Sequence, residues 1–152
     1  MRAIFSIFLF VLMTSVSVAQ ENAGCISGNC ENGSGTYIYK NGYHFKGDFV
    51  NGKREGRGLL ICPDGASYDG MWSNDEFNGQ GTYKWPDGAK YTGEWKNGIQ
   101  DGYGIYFYPN GDKYTGYFKN NKFHGKGTYT WANGQSAPGN YENGELVSAN
   151  SK

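Results

Sequence analysis

Polar and apolar positions alternate along this chain in short runs, and the runs are punctuated by glycine. From Lys90 to Lys96, Tyr91, Gly93 and Trp95 fall on one side and Thr92, Glu94 and Lys96 on the other. A period of two is the signature of a half-buried strand. Asn97-Gly98 follows, and both residue types tolerate positive φ, so the chain turns there. Gly102-x-Gly104 gives a sharp re-entry into a second strand, Gly104 to Tyr108, with Tyr106 and Tyr108 on one face. Pro109-Asn110-Gly111 then turns the chain again.

This unit recurs every 23 residues without insertion or deletion. Gly42, Gly65, Gly88, Gly111 and Gly134 share one column, and Gly47, Gly70, Gly93, Gly116 and Gly139 another. Such periodicity marks a tandem array, in which each unit is one supersecondary element. No segment has the pattern of a crossover helix, so successive strands pair antiparallel. The predicted fold is all-β: a single elongated, twisted antiparallel meander of about ten strands. A degenerate first hairpin occupies 20–44 and serves as a cap. Four complete hairpins follow at 45–67, 68–90, 91–113 and 114–136, then a partial one at 137–147 and a disordered tail at 148–152.

A one-layer sheet must build its core from its own side chains. The aromatic columns do this: Phe45, Tyr68, Tyr91 and Tyr114; Phe49, Trp72, Trp95, Phe118 and Tyr141; Tyr37, Leu60, Tyr83, Tyr106 and Tyr129. The glycine between two aromatics in each first strand gives a ring room to lie over bare backbone. Cys62 stands in a column otherwise held by Tyr39, Trp85, Tyr108 and Trp131, as a small buried filler. Pro138 is placed in the last paired strand, where it would remove a donor and discourage further pairing.

Composition adds a compartment. Of the 152 residues, 17% are aromatic and 25 are glycine, which suits neither helices nor an aliphatic core. Residues 1–19 read as a signal peptide: Arg2 supplies the charge, Ala3 to Met13 is mostly apolar, and Ser17-Val18-Ala19 offers small residues before cleavage at Ala19-Gln20. The expected location is secreted or periplasmic, with an uncleaved membrane anchor as the alternative. Without Arg2 the chain carries 13 basic and 14 acidic residues, so no basic excess invites nucleic acid. In an oxidising compartment Cys25 and Cys30 form the natural disulfide, with lipid attachment at Cys25 as the other reading.

The unit Tyr-x-Gly-x-Trp, Asn-Gly, Gly-x-Gly-x-Tyr, Pro-Asp-Gly resembles the MORN repeat. Tyr68–Gly88 and Tyr91–Gly111 carry nearly all of it; Phe45–Gly65 has Phe for Tyr, and Tyr114–Gly134 loses the closing Pro-Asp. The resemblance covers about residues 30–144. It implies a twisted all-β array used as a scaffold, as a membrane-proximal module or as an appendage to a catalytic domain.

The residues give no support to an enzyme. His44 and His124 lie in different columns, with no cluster at metal spacing. Asp64, Asp87 and Asp112 sit near turns, and one carboxylate per turn falls short of a calcium shell. No Gly-x-Ser-x-Gly elbow or complete phosphate loop is present. No cofactor or metal is expected.

The hairpin tips alternate: Asn51-Gly52 and Asn97-Gly98 in units one and three, but Asn74-Asp75 followed by Phe77 and Asn120-Asn121 followed by Phe123 in units two and four. Phe77 and Phe123 either protrude as a binding edge or tuck onto a neighbouring loop. The candidate partner-binding set is Phe77, Phe123, Tyr83, Trp85, Tyr106, Tyr108, Tyr129 and Trp131. A protein partner is the first expectation and a glycan or membrane surface the second; a homo-oligomer is compatible with the same surfaces.

Overall fold

A computed structural model describes residues 23–149. The expected signal peptide, its cleavage site and the last residues of the tail lie outside the described residues. Those described form twelve strands in one open sheet, each paired antiparallel with its sequence neighbours. The strands are β1 (Gly24–Gly28), β2 (Gly33–Ile38), β3 (His44–Val50), β4 (Lys53–Ile61), β5 (Ser67–Ser73) and β6 (Glu76–Lys84). They continue as β7 (Lys90–Lys96), β8 (Ile99–Phe107), β9 (Lys113–Lys119), β10 (Lys122–Thr130), β11 (Ser136–Glu142) and β12 (Glu145–Ala149).

The sheet thus has two strands more than the pattern predicts, and three local features differ. First, the turn at Asn97-Gly98 is only two residues long, with φ of 50° and 77°, so β8 begins at Ile99 and not at Gly104. Positive φ at both positions is the hairpin turn whose twist matches its strands. Gly102 lies inside β8 as a bulge: the register shifts between Gly93 and Trp95 of β7, and Gly102 takes φ of 116°. Second, Ser148 and Ala149 belong to β12, paired with Asn140 and Gly139, and are not tail. Third, Pro138 sits in the penultimate strand, opposite Thr128, and β12 pairs with β11 only as far as Gly139.

The register places one glycine per strand in a single row across the sheet, from Gly35 in β2 to Gly139 in β11. The backbones are pinched together along it. A Cβ on Gly70 would stand 2.5 Å from the Cα of Gly81, and a Cβ on Gly81 2.3 Å from the Tyr68 Oη. The Tyr68 ring therefore lies flat on the backbone of this pair. Tyr91 lies the same way on Gly93 and Gly104, Tyr114 on Gly116 and Gly127, and Phe45 on Gly47 and Gly58. These four rings are fully buried.

Polar edges of the rings are satisfied at the same time. Tyr68 Oη donates to the Met71 carbonyl at 2.9 Å and Tyr91 Oη to the Glu94 carbonyl at 2.9 Å. Trp72 Nε1 donates to the Gly58 carbonyl at 3.1 Å and Trp95 Nε1 to the Gly81 carbonyl at 3.2 Å, tying each hairpin to the one before. Burial pushes the phenol pKa values of Tyr68, Tyr91 and Tyr114 well above the ordinary value, so these groups stay neutral.

A third tier covers the rings. Phe77 stacks on Tyr68 with centroids 3.8 Å apart, and Phe123 on Tyr114 at 3.7 Å. Of the two readings of these rings, protruding or tucked, the geometry is the tucked one, although the ring beneath each belongs to its own unit: each is half-buried and stacked over a buried ring. At the equivalent place in unit one, the Arg54 guanidinium lies 4.2 Å from the Trp72 ring, and in unit three the place belongs to the buried Gln100. The ends are covered differently. The Cys30 Sγ occupies the space above Gly35, held there by the Cys25–Cys30 disulfide, and the Leu146 Cδ1 occupies the space above Gly139.

Asp112 patches a weakened repeat. It stands in the column of the buried Ala66 and Ala89. Its carboxylate accepts the Tyr129 hydroxyl at 2.6 Å, the Ala132 N–H at 2.8 Å and the Asn110 amide at 3.0 Å. Ala132 replaces the proline of the earlier turns and so has an N–H to offer. The Tyr129 hydroxyl first, then the Ala132 N–H, hold the Asp112 pKa below the ordinary carboxylate value.

Gly81→Ala has no special φ to lose, so its effect is steric displacement of Tyr68; it is expected to destabilise by about 1–3 kcal/mol. Phe77→Ala removes the stacked cover and should lose about 3 kcal/mol; thermal denaturation checks both. Because the folded Asp112 pKa is depressed, its stabilisation is present above the unfolded value of about 3.9 and disappears as pH falls through the folded one. Acid titration of unfolding should therefore be flatter below about pH 4 for Asp112→Asn than for the parent.

Candidate functional site

Six of the candidate rings assemble into one ribbon. Tyr83, Trp85, Tyr106, Tyr108, Tyr129 and Trp131 come from three successive units, at the ends of β6, β8 and β10 on the face that carries the core. Neighbouring centroids are 4.7 Å apart for Tyr83–Trp85, 5.3 Å for Trp85–Tyr106 and 4.7 Å for Tyr106–Tyr108. The line continues at 5.8 Å to Tyr129 and 5.2 Å to Trp131. It stops on the other side because unit one has Leu60 and Cys62 where the rings would be. Cys62 is buried, as a small filler should be.

The ribbon is half-buried along its length, and Trp131 is 41% exposed at its end. Its inner edges rest on the core, while its outer surfaces reach solvent. Burial raises the phenol pKa values of Tyr83, Tyr106 and Tyr108, so the ribbon is uncharged at neutral pH. Beside it opens a groove of about 300 Å³ lined by Gln100, Tyr106, Tyr108, Phe118, Asn121 and Phe123 among others. In unit one the side chain at the position of Gln100 is Arg54, folded over Trp72.

Sequence reasoning missed the residues that shape this groove. Gln100 is held by Asn121: its N–H donates to the Asn121 Oδ1 at 2.8 Å, and its carbonyl accepts the Asn121 N–H at 3.1 Å. Arg54 is held in the same way by Asp75, whose Oδ1 accepts both its N–H and its Nε–H at 3.0 Å. The aromatic covers Phe77 and Phe123 are followed in the next turn by Gly98 and Gly144, which contribute only an N–H to the Phe carbonyl. The alternation of the tips is therefore a rule of partners. A polar cover is tied down by the next unit's Asp or Asn, and an aromatic cover is held by stacking. The signal was in the sequence, at positions 52, 75, 98, 121 and 144, but it reads only when paired with positions one unit earlier.

The chemistry elsewhere is structural. Asp64 and Asp87 accept the N–H groups of Ala66 and Ala89 at 3.0 and 2.9 Å, closing their turns. Among the described residues no group of three or more His, Cys, Asp or Glu could hold a metal. No helix among them is long and apolar enough to cross a membrane.

Comparison with known proteins agrees with the geometry. No curated protein matches the chain. The profile of the MORN repeat matches residues 27–42, 45–67, 68–90, 91–113 and 114–136. The last four are the four hairpin units whose Tyr or Phe lies on the glycine row, and the first is the capped hairpin that leads into them. The chain belongs to the MORN repeat family, a family of repeat-built interaction modules.

Proposed function

We propose that this protein is a non-catalytic interaction module acting outside the cytosol, where it holds a protein partner on its aromatic ribbon. One observation carries the reading: six neutral, half-exposed rings from Tyr83 to Trp131 in unbroken contact. Large rings on a rigid backbone lose little conformational freedom on binding, which makes them strong anchors at protein interfaces. The groove beside Gln100 offers an amide donor and acceptor next to these rings, a place for one partner side chain. The signal-like residues 1–19 and the Cys25–Cys30 disulfide support a secreted or periplasmic location, since disulfides persist in oxidising compartments.

Trp85→Ala with Tyr108→Ala should weaken the complex formed with the partner by about tenfold or more, as expected for anchor residues. A control on the other face, Tyr117→Ser, should leave it intact. Isolation of the stoichiometric complex from native envelope extract checks this. Equal capture by both variants would remove the ribbon from the interface. Mass spectrometry of the secreted or periplasmic fraction should find a chain beginning at Gln20; an intact, cytosolic chain beginning at Met1 would contradict the location.

A further inference from the structure

The outer face of the sheet, opposite the core, carries its own repeat-to-repeat row. At the closing-turn end of each junction the register pairs Ile38 with His44, Ile61 with Ser67, Lys84 with Lys90, Phe107 with Lys113 and Thr130 with Ser136. Only the third junction sets two cations directly opposite each other. Like charges in this position destabilise a sheet. Among the described residues neither ammonium forms an ion pair. The Lys90 Nζ rests 4.3 Å from the centroid of the Phe107 ring, and Lys84 is exposed.

The same junction has a groove of about 450 Å³, lined by Gly65, Ser67, Lys84, Trp85, Lys90 and Phe107 among others. It opens at the edge of the sheet between two closing turns. Gly65 and Gly88 leave it unobstructed, with open space where a side chain would stand. The nearest turn carboxylates, Asp64 and Asp87, are engaged by backbone N–H groups of their own turns. Lys84, Lys90, Ser67, Trp85 and Phe107 thus line one recess; the Lys90 ammonium rests on the Phe107 ring, and Trp85 is also a ring of the ribbon.

We infer that this groove is a binding site for a carboxylate-bearing saccharide, a ligand additional to the ribbon's protein partner and meeting the ribbon at Trp85. The carboxylate relieves the Lys84–Lys90 repulsion and accepts charge-assisted hydrogen bonds from both ammonium groups. The C–H face of the sugar ring covers Trp85, since the Phe107 ring carries the Lys90 ammonium, and its hydroxyls meet Ser67 and water at the open side. A neutral sugar leaves the two cations facing each other. An inorganic anion makes no use of the aromatic walls.

The test is a titration of the mature protein with trigalacturonate, followed by amide and indole NMR signals. Saturable shifts should centre on Gly65, Lys84, Trp85, Gly88 and Lys90. The methyl ester of the same trisaccharide, which keeps the rings and removes the charge, should bind at least about tenfold more weakly. Lys84→Gln with Lys90→Gln should lose binding to the same extent while its melting temperature stays level or rises, because the repulsion is gone. The single Lys84→Gln variant gives the intermediate case. Capture of the protein partner should be unchanged in the lysine variants, which distinguishes failure of the saccharide site from failure of the ribbon reading. The proposal is overturned if the ester binds as well as the acid, if the lysine variants bind as the parent does, or if no saturable shift occurs. It is equally overturned if poly-glutamate or anionic phosphatidylserine vesicles shift these signals while the saccharide does not.

Discussion

A flat aromatic ring on bare backbone is the contact on which this sheet depends. Most sheets bury one face against a second layer. Here the described chain has no second layer, and the row of glycines takes its place by letting the backbone itself serve as a packing surface. Each ring then makes dispersion contacts with two strands at once, and its burial contributes about 1.5–3 kcal/mol of transfer free energy. The tyrosine hydroxyls and indole N–H groups bond carbonyls of the same or the preceding hairpin, so burying them leaves no polar group unpaired. A side chain at any row position from Gly47 to Gly127 that lies under a ring would lift that ring from two strands at once.

What covers the rings is where the repeats stop being identical. Phe77 and Phe123 give stacking, while Arg54 and Gln100 are roped to the following turn by Asp75 and Asn121. The effective period of the molecule is therefore two units. The open groove beside Gln100 and the filled place at Arg54 both follow from this second period. At the ends, where a neighbouring unit is missing, a disulfide sulfur and a leucine take the part of the ring. Stability in such an array is a sum of units and of the contacts between them, and the end pieces prevent it from fraying.

Much of this was legible in the sequence because the repeats report on one another. The alternation of Tyr91, Gly93 and Trp95, the 23-residue spacing and the Cys25–Cys30 pair led to the antiparallel sheet and the disulfide. Three features were hidden for physical reasons. Gly102 looked like a turn leading into a strand at Gly104 because a bulge and a turn both call for positive φ. Phe77 and Phe123 could be read as protruding or tucked because they stand next to polar tips, and only the register puts them over Tyr68 and Tyr114. Lys84 and Lys90 lie six residues apart in sequence, across a turn, and their charge conflict exists only once β6 and β7 are paired. The ribbon rings were all legible as candidates, but their continuity depends on how three hairpins stack.

The most direct measurement of the central contact is the NMR chemical shift of the glycine Hα protons. A proton under the face of an aromatic ring is shielded. The Hα signals of Gly58, Gly81, Gly104 and Gly127, each beneath a Phe or Tyr ring, should move far upfield. Those of Gly65 and Gly88, which have open space around them, should keep ordinary values. Ordinary shifts at all six would mean that the rings do not lie on the backbone, and the account of this sheet would fail.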